Sequence, residues 1–182
     1  MRSILECYLT LSYMIKSNNS DIWKTYRVYG NGQAKLAFLK LSELDDAPDF
    51  INVDILQNLA DEDSWMEFLT INVGHWEKTT LRDMSIKSDN KDDYDKYYSW
   101  SSTYTHGQWC AVRDTCYLTC ANPLHRLHRV PDPDELLLEN ISLDAILIVN
   151  KILDLLNGQY PDFSYRMKRL EDKQNQQKSR AE

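Results

Sequence analysis

The stretch RSILECYLTLSYMIK, residues 2–16, constrains the fold of this chain more than any other. Its apolar residues recur at helical spacing and cover most of the helix circumference: Ile4, Leu5, Tyr8, Leu9, Leu11, Met14 and Ile15. A helix that is apolar on most of its faces is stable in water only when it is buried. The sequence therefore predicts a core helix at its start, with later elements packed around it.

Helical patterns dominate the rest of the chain. Only 5 Gly and 5 Pro occur in 182 residues, few for a β-rich protein with many turns, and no strand alternation stands out. Helices are predicted at 2–16, 21–45, 94–120 and 134–157, with shorter ones near 52–60 and 62–73, and a loop, a short helix and a charged turn over 74–93. We expect an all-α, single-domain multi-helix bundle over residues 1–160, then a C-terminal helix and frayed polar tail over 161–182.

The composition excludes some partners and locations. The formal net charge is −7, so the surface as a whole does not attract nucleic acid, although a local basic patch can still hold a phosphate. No apolar run reaches the roughly eighteen residues of a membrane span. Glu6 interrupts the one stretch that is similar to a signal peptide. The 4 cysteines fit reduced cytosolic thiols better than a disulfide framework. We expect a cytoplasmic protein without a membrane partner.

Two sets of polar groups stand out on helices that are otherwise apolar. On the first helix, Arg2 and Glu6 form an i, i+4 pair. On the helix predicted for YYSWSSTYTHGQW, Ser102 and His106 share one face, with Tyr98 beside them. Buried charges need partners, so we expect the two helices to pack together. Arg2 or Glu6 should then lie within hydrogen-bond reach of the helix that carries Ser102 and His106.

Two functions are compatible with this polar centre, and the residues leave both open. A histidine near a carboxylate can act as a general acid or base, and an arginine can hold a phosphate or a developing oxyanion. The catalytic candidates are then Arg2, Glu6, Ser102 and His106. Alternatively, the same groups form a buried network that fixes helix register in a non-catalytic interaction module.

The motifs R-S-x-x-E, W-x-K-T-T-L-R-D-M and Y-x-x-x-S-x-x-x-H-G follow one another along the chain. In this order they resemble a bacterial family of uncharacterised helical proteins, domain-of-unknown-function family 5677, up to about Val130. The matching positions are Arg2, Ser3, Glu6, Trp76, Lys78, Leu81, Tyr98, Ser102, His106 and Gly107. From these we take Trp76, Lys78 and Tyr98 as candidate binding residues.

The resemblance to this family carries no assigned activity, but it bears on the start of the chain. Family members normally have residues ahead of the R-S-x-x-E helix, whereas here the motif follows Met1 directly. The resemblance therefore implies a truncated or late-start form. An apolar face of the first helix would then be open to a protein partner or to a second copy.

The expected architecture is also similar to the higher-eukaryote and prokaryote nucleotide-binding (HEPN) group, whose nuclease members are RNA-cutting toxins. Those nucleases carry an R-x4-6-H motif that no histidine of this chain completes, so Arg2 would have to supply the arginine. This resemblance implies RNA or a nucleotide as partner. If the polar centre is catalytic, the resemblance also implies that the protein cleaves RNA without a metal ion, in a bacterial defence or toxin setting.

Histidines and cysteines cluster between residues 106 and 128. His106 with Cys110, and Cys116 with Cys120, are i, i+4 pairs that could chelate on one helix face. No C-x-x-C knuckle accompanies them, and buried helix cysteines are usually small hydrophobes. We therefore assign no metal site and no cofactor from the sequence.

Overall fold

The computed structural model describes residues 1–44, 48, 51–52, 54–55, 57–58, 74–125, 128–131, 140–163 and 165–167. Its helices are α1 (Arg2–Lys16), α2 (Ile22–Ser42), α3 (Leu81–Lys87), α4 (Lys91–Thr105), α5 (Trp109–Cys116) and α6 (Ile141–Gln159). Strands β1 (Tyr117–Thr119) and β2 (Arg129–Pro131) flank a 3-10 turn at Pro123–His125. The predicted all-α, multi-helix fold class is confirmed. None of the described helices is long and apolar enough to span a bilayer.

The chain divides into two compact units. Unit 1 comprises residues 1–16 and 81–182, and unit 2 comprises residues 17–80. The sequence predicted one bundle over residues 1–160, whereas the contacts within the chain group residues 17–80 by themselves.

Helix α1 lies at the centre of unit 1, where it packs against α3, α4 and α6. Leu5 and Leu9 are fully buried and form a core cluster with Tyr8, with Tyr97 of α4 and with Ile148 of α6. Each fully buried leucine stabilises the fold by roughly 1.5–3 kcal/mol. The prediction of a core helix at the start of the chain is therefore confirmed.

The prediction of one continuous helix over 94–120 is wrong, because the chain turns at Gly107. The N–H of Gln108 donates to the Thr103 carbonyl at 2.9 Å, and the N–H of Gly107 donates to the Tyr104 carbonyl at 3.3 Å. These two bonds, with Gly107 at φ +56, form a Schellman motif that ends α4. The glycine that follows His106 is therefore a helix terminator, and α5 begins afresh at Trp109.

A short hairpin follows α5 where the sequence predicted helix up to Cys120. Strands β1 and β2 are antiparallel, with Tyr117 opposite Pro131, Leu118 opposite Val130 and Thr119 opposite Arg129. Each strand has three residues, too few for an alternating pattern to emerge from the sequence.

The remaining helix boundaries differ from the predictions by a few residues. Helix α2 runs without a break through Gly30 and Gly32. Helix α6 passes through Gly158 and ends at Gln159, while residues 132–139, where the prediction had begun it, lie outside the described residues.

Two predicted segments can be compared only in part. The predicted helices near 52–60 and 62–73 fall mostly outside the described residues, although Asp54, Ile55, Gln57 and Asn58 are helical. Residues 161–163 and 165–167 are not helical. The rest of the predicted C-terminal helix and tail lies outside the described residues.

Candidate functional site

Arg2 pairs with Glu6 on its own helix and contacts α4 through an aromatic ring. Arg2 Nε donates to Glu6 Oε1 at 2.5 Å, and the guanidinium carbon lies 3.5 Å from the centroid of the Tyr98 ring. The Arg2 side chain is only 13% exposed, whereas that of Glu6 is 44% exposed. The arginine is thus held between an ion pair and a cation–π contact, with its carboxylate partner on the solvent side.

A second tyrosine completes this arrangement. The rings of Tyr94 and Tyr98 are stacked, with centroids 4.4 Å apart and planes inclined by 21°. Arg2 and Glu6 on α1, and Tyr94 and Tyr98 on α4, are each one helical turn apart, so two i, i+4 pairs meet across the helix interface. We refer to these four residues as the Arg2 group.

The electrostatics of Tyr94 reveal a further cation. Burial and the neighbouring Tyr98 raise the pKa of Tyr94, while the charges of Arg2 and Arg82 oppose this rise. Arg82 is exposed on α3, and none of the contacts described for its side chain is an ion pair. It was overlooked in the sequence, although it lies inside the motif W-x-K-T-T-L-R-D-M.

One nitrogen of Arg2 lacks a partner. Arg2 Nη1 is buried and makes no hydrogen bond to the part of the chain that the structure describes. An unpaired buried donor costs about 1–3 kcal/mol, and more when it is charged. The Arg2 group therefore contains a cationic donor whose hydrogen bonding is incomplete.

Ser102 and His106 lie further along the same helix. Ser102 is partly buried, and His106 is the exposed residue that caps α4, its backbone N–H donating to the Ser102 carbonyl at 3.0 Å. A helix rises 1.5 Å per residue, so His106 lies about 12 Å beyond Tyr98 along the axis. None of the described contacts joins His106 or Ser102 to Arg2 or Glu6.

Trp76 and Lys78 belong to unit 2. Trp76 is buried and meets Tyr26 edge to face, with ring centroids 5.1 Å apart. Lys78 is exposed, and its backbone N–H donates to Glu77 Oε1 at 2.8 Å. Trp76 thus packs inside its own unit.

Helix α1 also takes part in a second polar cluster, which was not predicted from the sequence. We call it the Asn90 network: Tyr8, Ser12, Ser88 and Asn90. Tyr8 donates to Asn90 Oδ1 at 2.6 Å, and Asn90 Nδ2 donates to Ser12 Oγ at 2.7 Å and to the Ser88 carbonyl at 2.8 Å. Burial raises the pKa of Tyr8 to about 12, and the carboxylates of Asp93 and Asp154 contribute. The signal available was the spacing of Tyr8 and Ser12, one turn apart on the core helix.

A cavity of about 400 Å³ opens between α4 and α6. Four of its charged residues pair with one another: Lys151 Nζ contacts both oxygens of Asp93 at 2.6 Å, and Arg166 pairs with Asp154. The fifth, Lys96, lies 4.0 Å from Asp144 Oδ1, which is outside the lining. This size suits a small molecule, but the lining charges are already compensated. The Arg2 group is therefore the better candidate for recognising an ion.

The Arg2 group has the side chains to bind an anionic ligand. A guanidinium can hold a phosphate or carboxylate oxygen, and a stacked tyrosine pair offers an aromatic surface. Within the described residues, the side chains placed closely enough to share a metal ion lie at the β1–β2 hairpin and not here.

Comparison with known proteins identifies the family of this chain but assigns it no activity. No curated protein and no solved structure matches the chain. A family model does match, over residues 1–122, which include the whole Arg2 group, Ser102 and His106. The chain therefore belongs to the family of unknown function DUF5677.

Proposed function

We propose that the protein binds the phosphate of a nucleotide or of RNA through the Arg2 group. The observation that carries this proposal is the buried, unpaired Nη1 of Arg2. Phosphate oxygens are suitable acceptors for a guanidinium, because its planar fork matches their geometry. Glu6 engages Nε and orients the guanidinium, so that a ligand oxygen would complete its hydrogen bonding.

Neighbouring groups favour a nucleotide over a bare anion. Arg82 adds a second positive charge beside Tyr94, and a base could stack on the tyrosine rings, since base–aromatic stacking contributes about 1–3 kcal/mol per base. The net charge of −7 opposes a long polyanion. A single nucleotide, or the end of an RNA strand, is therefore the preferred ligand.

Binding without cleavage is what the geometry supports best. Cleavage needs a general base at the bound phosphate, and His106 lies about 12 Å along α4 from Tyr98 by helix geometry. We place this binding in the bacterial cytoplasm, in a defence or toxin setting and on a HEPN-like architecture, as expected from the sequence. The cysteines, which form no disulfide, fit a reducing compartment.

A second candidate function is a non-catalytic interaction module with a structural Arg2 group. The low exposure of Arg2, 13%, and its packing on Tyr98 favour it. The partner surface would then lie away from α1, because the large apolar side chains that remain exposed in the described residues belong to other elements. Leu124 is 88% exposed and Trp109 is 61% exposed.

Titration calorimetry with inorganic phosphate, a nucleoside monophosphate and a short single-stranded RNA separates the two functions. If the proposal holds, Arg2→Lys should weaken nucleotide binding about tenfold or more, because one hydrogen bond to a charged group contributes about 1.5–3 kcal/mol. Arg82→Met should weaken it less. Arg113→Met is the matched control, since that arginine pairs with Asp114.

Two results would count against phosphate binding. Wild-type protein that binds none of the three ligands would favour the interaction module. Equal affinities in Arg2→Lys and Arg113→Met would show that the ligand binds elsewhere. Circular dichroism on each variant checks that the fold is intact.

A further inference from the structure

The loop of the β1–β2 hairpin brings together three side chains that can ligate a metal. The ligand atoms of Cys120, His125 and His128 all lie within 4.8 Å of one another. Cys120 Sγ and His125 Nδ1 are 3.5 Å apart, and the two imidazole centroids are 4.9 Å apart. The spacing is Cys-x4-His-x2-His, a combination absent from the helical pairs that the sequence had indicated.

Backbone hydrogen bonds fix this arrangement. The N–H of Cys120 donates to the His128 carbonyl at 2.9 Å, which extends the β1–β2 ladder by one step and sets the two residues opposite each other. Side chains opposite one another across two strands have Cβ atoms about 4.5–5.5 Å apart. Two of the three ligands are thus positioned by the hairpin itself.

The third ligand is positioned by the 3-10 turn. Asn122 Oδ1 accepts the N–H of Leu124 at 3.0 Å, and the Asn122 carbonyl accepts the N–H of His125 at the same distance. The N–H of His128 then donates to the His125 carbonyl at 3.1 Å. Since the turn is closed by its own hydrogen bonds, His125 is held beside Cys120 without an ion.

We propose that Cys120, His125 and His128 bind a borderline-soft divalent cation of the Zn²⁺ class. In a tetrahedral zinc site, bond lengths of about 2.3 Å to sulfur and 2.0–2.1 Å to nitrogen place the two atoms about 3.6 Å apart. The observed separation of 3.5 Å between Sγ and Nδ1 meets this requirement. Binding converts the Cys120 thiol to a thiolate, and its proton passes to the buffer.

The ligand set leaves one position of a tetrahedral ion open. Among the described residues, no fourth histidine, cysteine or carboxylate joins the three. His125 and His128 are exposed and Cys120 is partly buried, so an ion has direct access from solvent. The site shares no residue with the Arg2 group, so this proposal does not rest on phosphate binding.

Cobalt titration of the tag-free full chain tests the site, because thiolate ligation of Co²⁺ produces a charge-transfer band and tetrahedral coordination intensifies the visible bands. We expect both signals to saturate at one Co²⁺ per chain, and Zn²⁺ to displace the Co²⁺. Cys120→Ser should abolish the charge-transfer band. His125→Ala and His128→Ala should each weaken Zn²⁺ binding by more than about 100-fold, since even outer-shell changes cost 10–100-fold.

Matched controls separate this site from adventitious binding. Cys116→Ser removes an exposed thiol just upstream, and His75→Ala removes an exposed imidazole in unit 2; neither should change the titration. The proposal fails if wild-type protein gives no charge-transfer band, or if the band survives Cys120→Ser. It also fails if Cys116→Ser removes the band, or if both hairpin histidine variants keep wild-type affinity. Circular dichroism of the metal-free variants verifies folding.

Discussion

The two polar clusters on α1 differ in how completely their hydrogen bonds are satisfied. In the Asn90 network, the Asn90 side chain accepts from Tyr8 and donates to Ser12 and Ser88. In the Arg2 group, Nη1 of the guanidinium is buried without a partner. A saturated cluster has nothing left to offer a ligand, whereas an unsaturated one does. The same helix thus carries a structural cluster towards its middle and a candidate site near its first turn.

Asn90→Ala should give the largest loss of stability among the variants that test this comparison. It deletes the hub of the network and leaves Tyr8, Ser12 and Ser88 without their shared partner. Unsatisfied buried groups cost about 1–3 kcal/mol each, with partial relief from water, so we expect a loss of about 3 kcal/mol in the free energy of unfolding. Urea titration measures it, with Asn140→Ala as control, because Asn140 is exposed and makes no capping bond through its side chain. A loss no greater than that of the control would show that the network is not structural.

Tyr8→Phe should lower the free energy of unfolding by about 1–2 kcal/mol near neutral pH, because Asn90 Oδ1 loses its donor. It should also change the pH dependence. The folded-state pKa of about 12 exceeds the ordinary value of 10.0, so wild-type stability falls as pH rises between these values, where the unfolded chain loses its proton first.

Thermal unfolding from neutral pH to about pH 12 checks the titration of Tyr8, since its folded-state pKa is about 12. The fall should be shallower in Tyr8→Phe than in the wild type. Tyr160→Phe is the matched control, since that ring is 65% exposed. Parallel curves for wild type and Tyr8→Phe would contradict a role for Tyr8 in the alkaline loss of stability.

Glu6→Gln should lower the free energy of unfolding by less, about 0.5–1 kcal/mol. The Glu6 side chain is 44% exposed, so solvent screens its pairing with Arg2. Phosphate binding should nevertheless change, since the carboxylate both orients and neutralises the guanidinium. Unfolding and calorimetric binding measured on the same preparation compare the two effects. A large stability loss with unaltered binding would move the Arg2 group into the structural class with the Asn90 network.

His106→Ala should have the smallest effect and change the free energy of unfolding, measured by urea titration, by no more than about 0.5 kcal/mol. The reason is that the His106 side chain is exposed and makes none of the described side-chain contacts. Nucleotide affinity should also stay near that of the wild type. A tenfold loss of affinity in a folded variant would instead bring His106 into the binding site and reopen the catalytic hypothesis.

Features that depend on local periodicity could be predicted from the sequence. The burial of α1 followed from the apolar residues on most of its faces, and the i, i+4 pairing of Arg2 with Glu6 followed from their spacing. The Asn90 network could not be predicted, because Tyr8 and Asn90 are 82 residues apart in sequence and meet only through the packing of α1 on α3.

Two local signals were present but misinterpreted. Gly107 fell inside the continuous helix predicted over 94–120, whereas its positive φ ends α4. Cys120 was paired with Cys116 on a predicted helix face, and the hairpin that joins it to His125 and His128 was hidden by strands of three residues. In both places the backbone changes direction, and the side-chain pattern of a helix does not report such a change.

The centre of unit 1 is assembled from two separated parts of the chain, residues 1–16 and 81–182. During synthesis α1 is made before residues 17–80, yet the helices that cover it are made after them. Bringing the ends of so long an intervening segment together costs roughly 4 kcal/mol of chain entropy, and the contacts of α1 with α3, α4 and α6 help to offset this cost. The central helix of unit 1 is therefore translated before the helices that cover it, and its apolar faces stay unburied until those helices have followed.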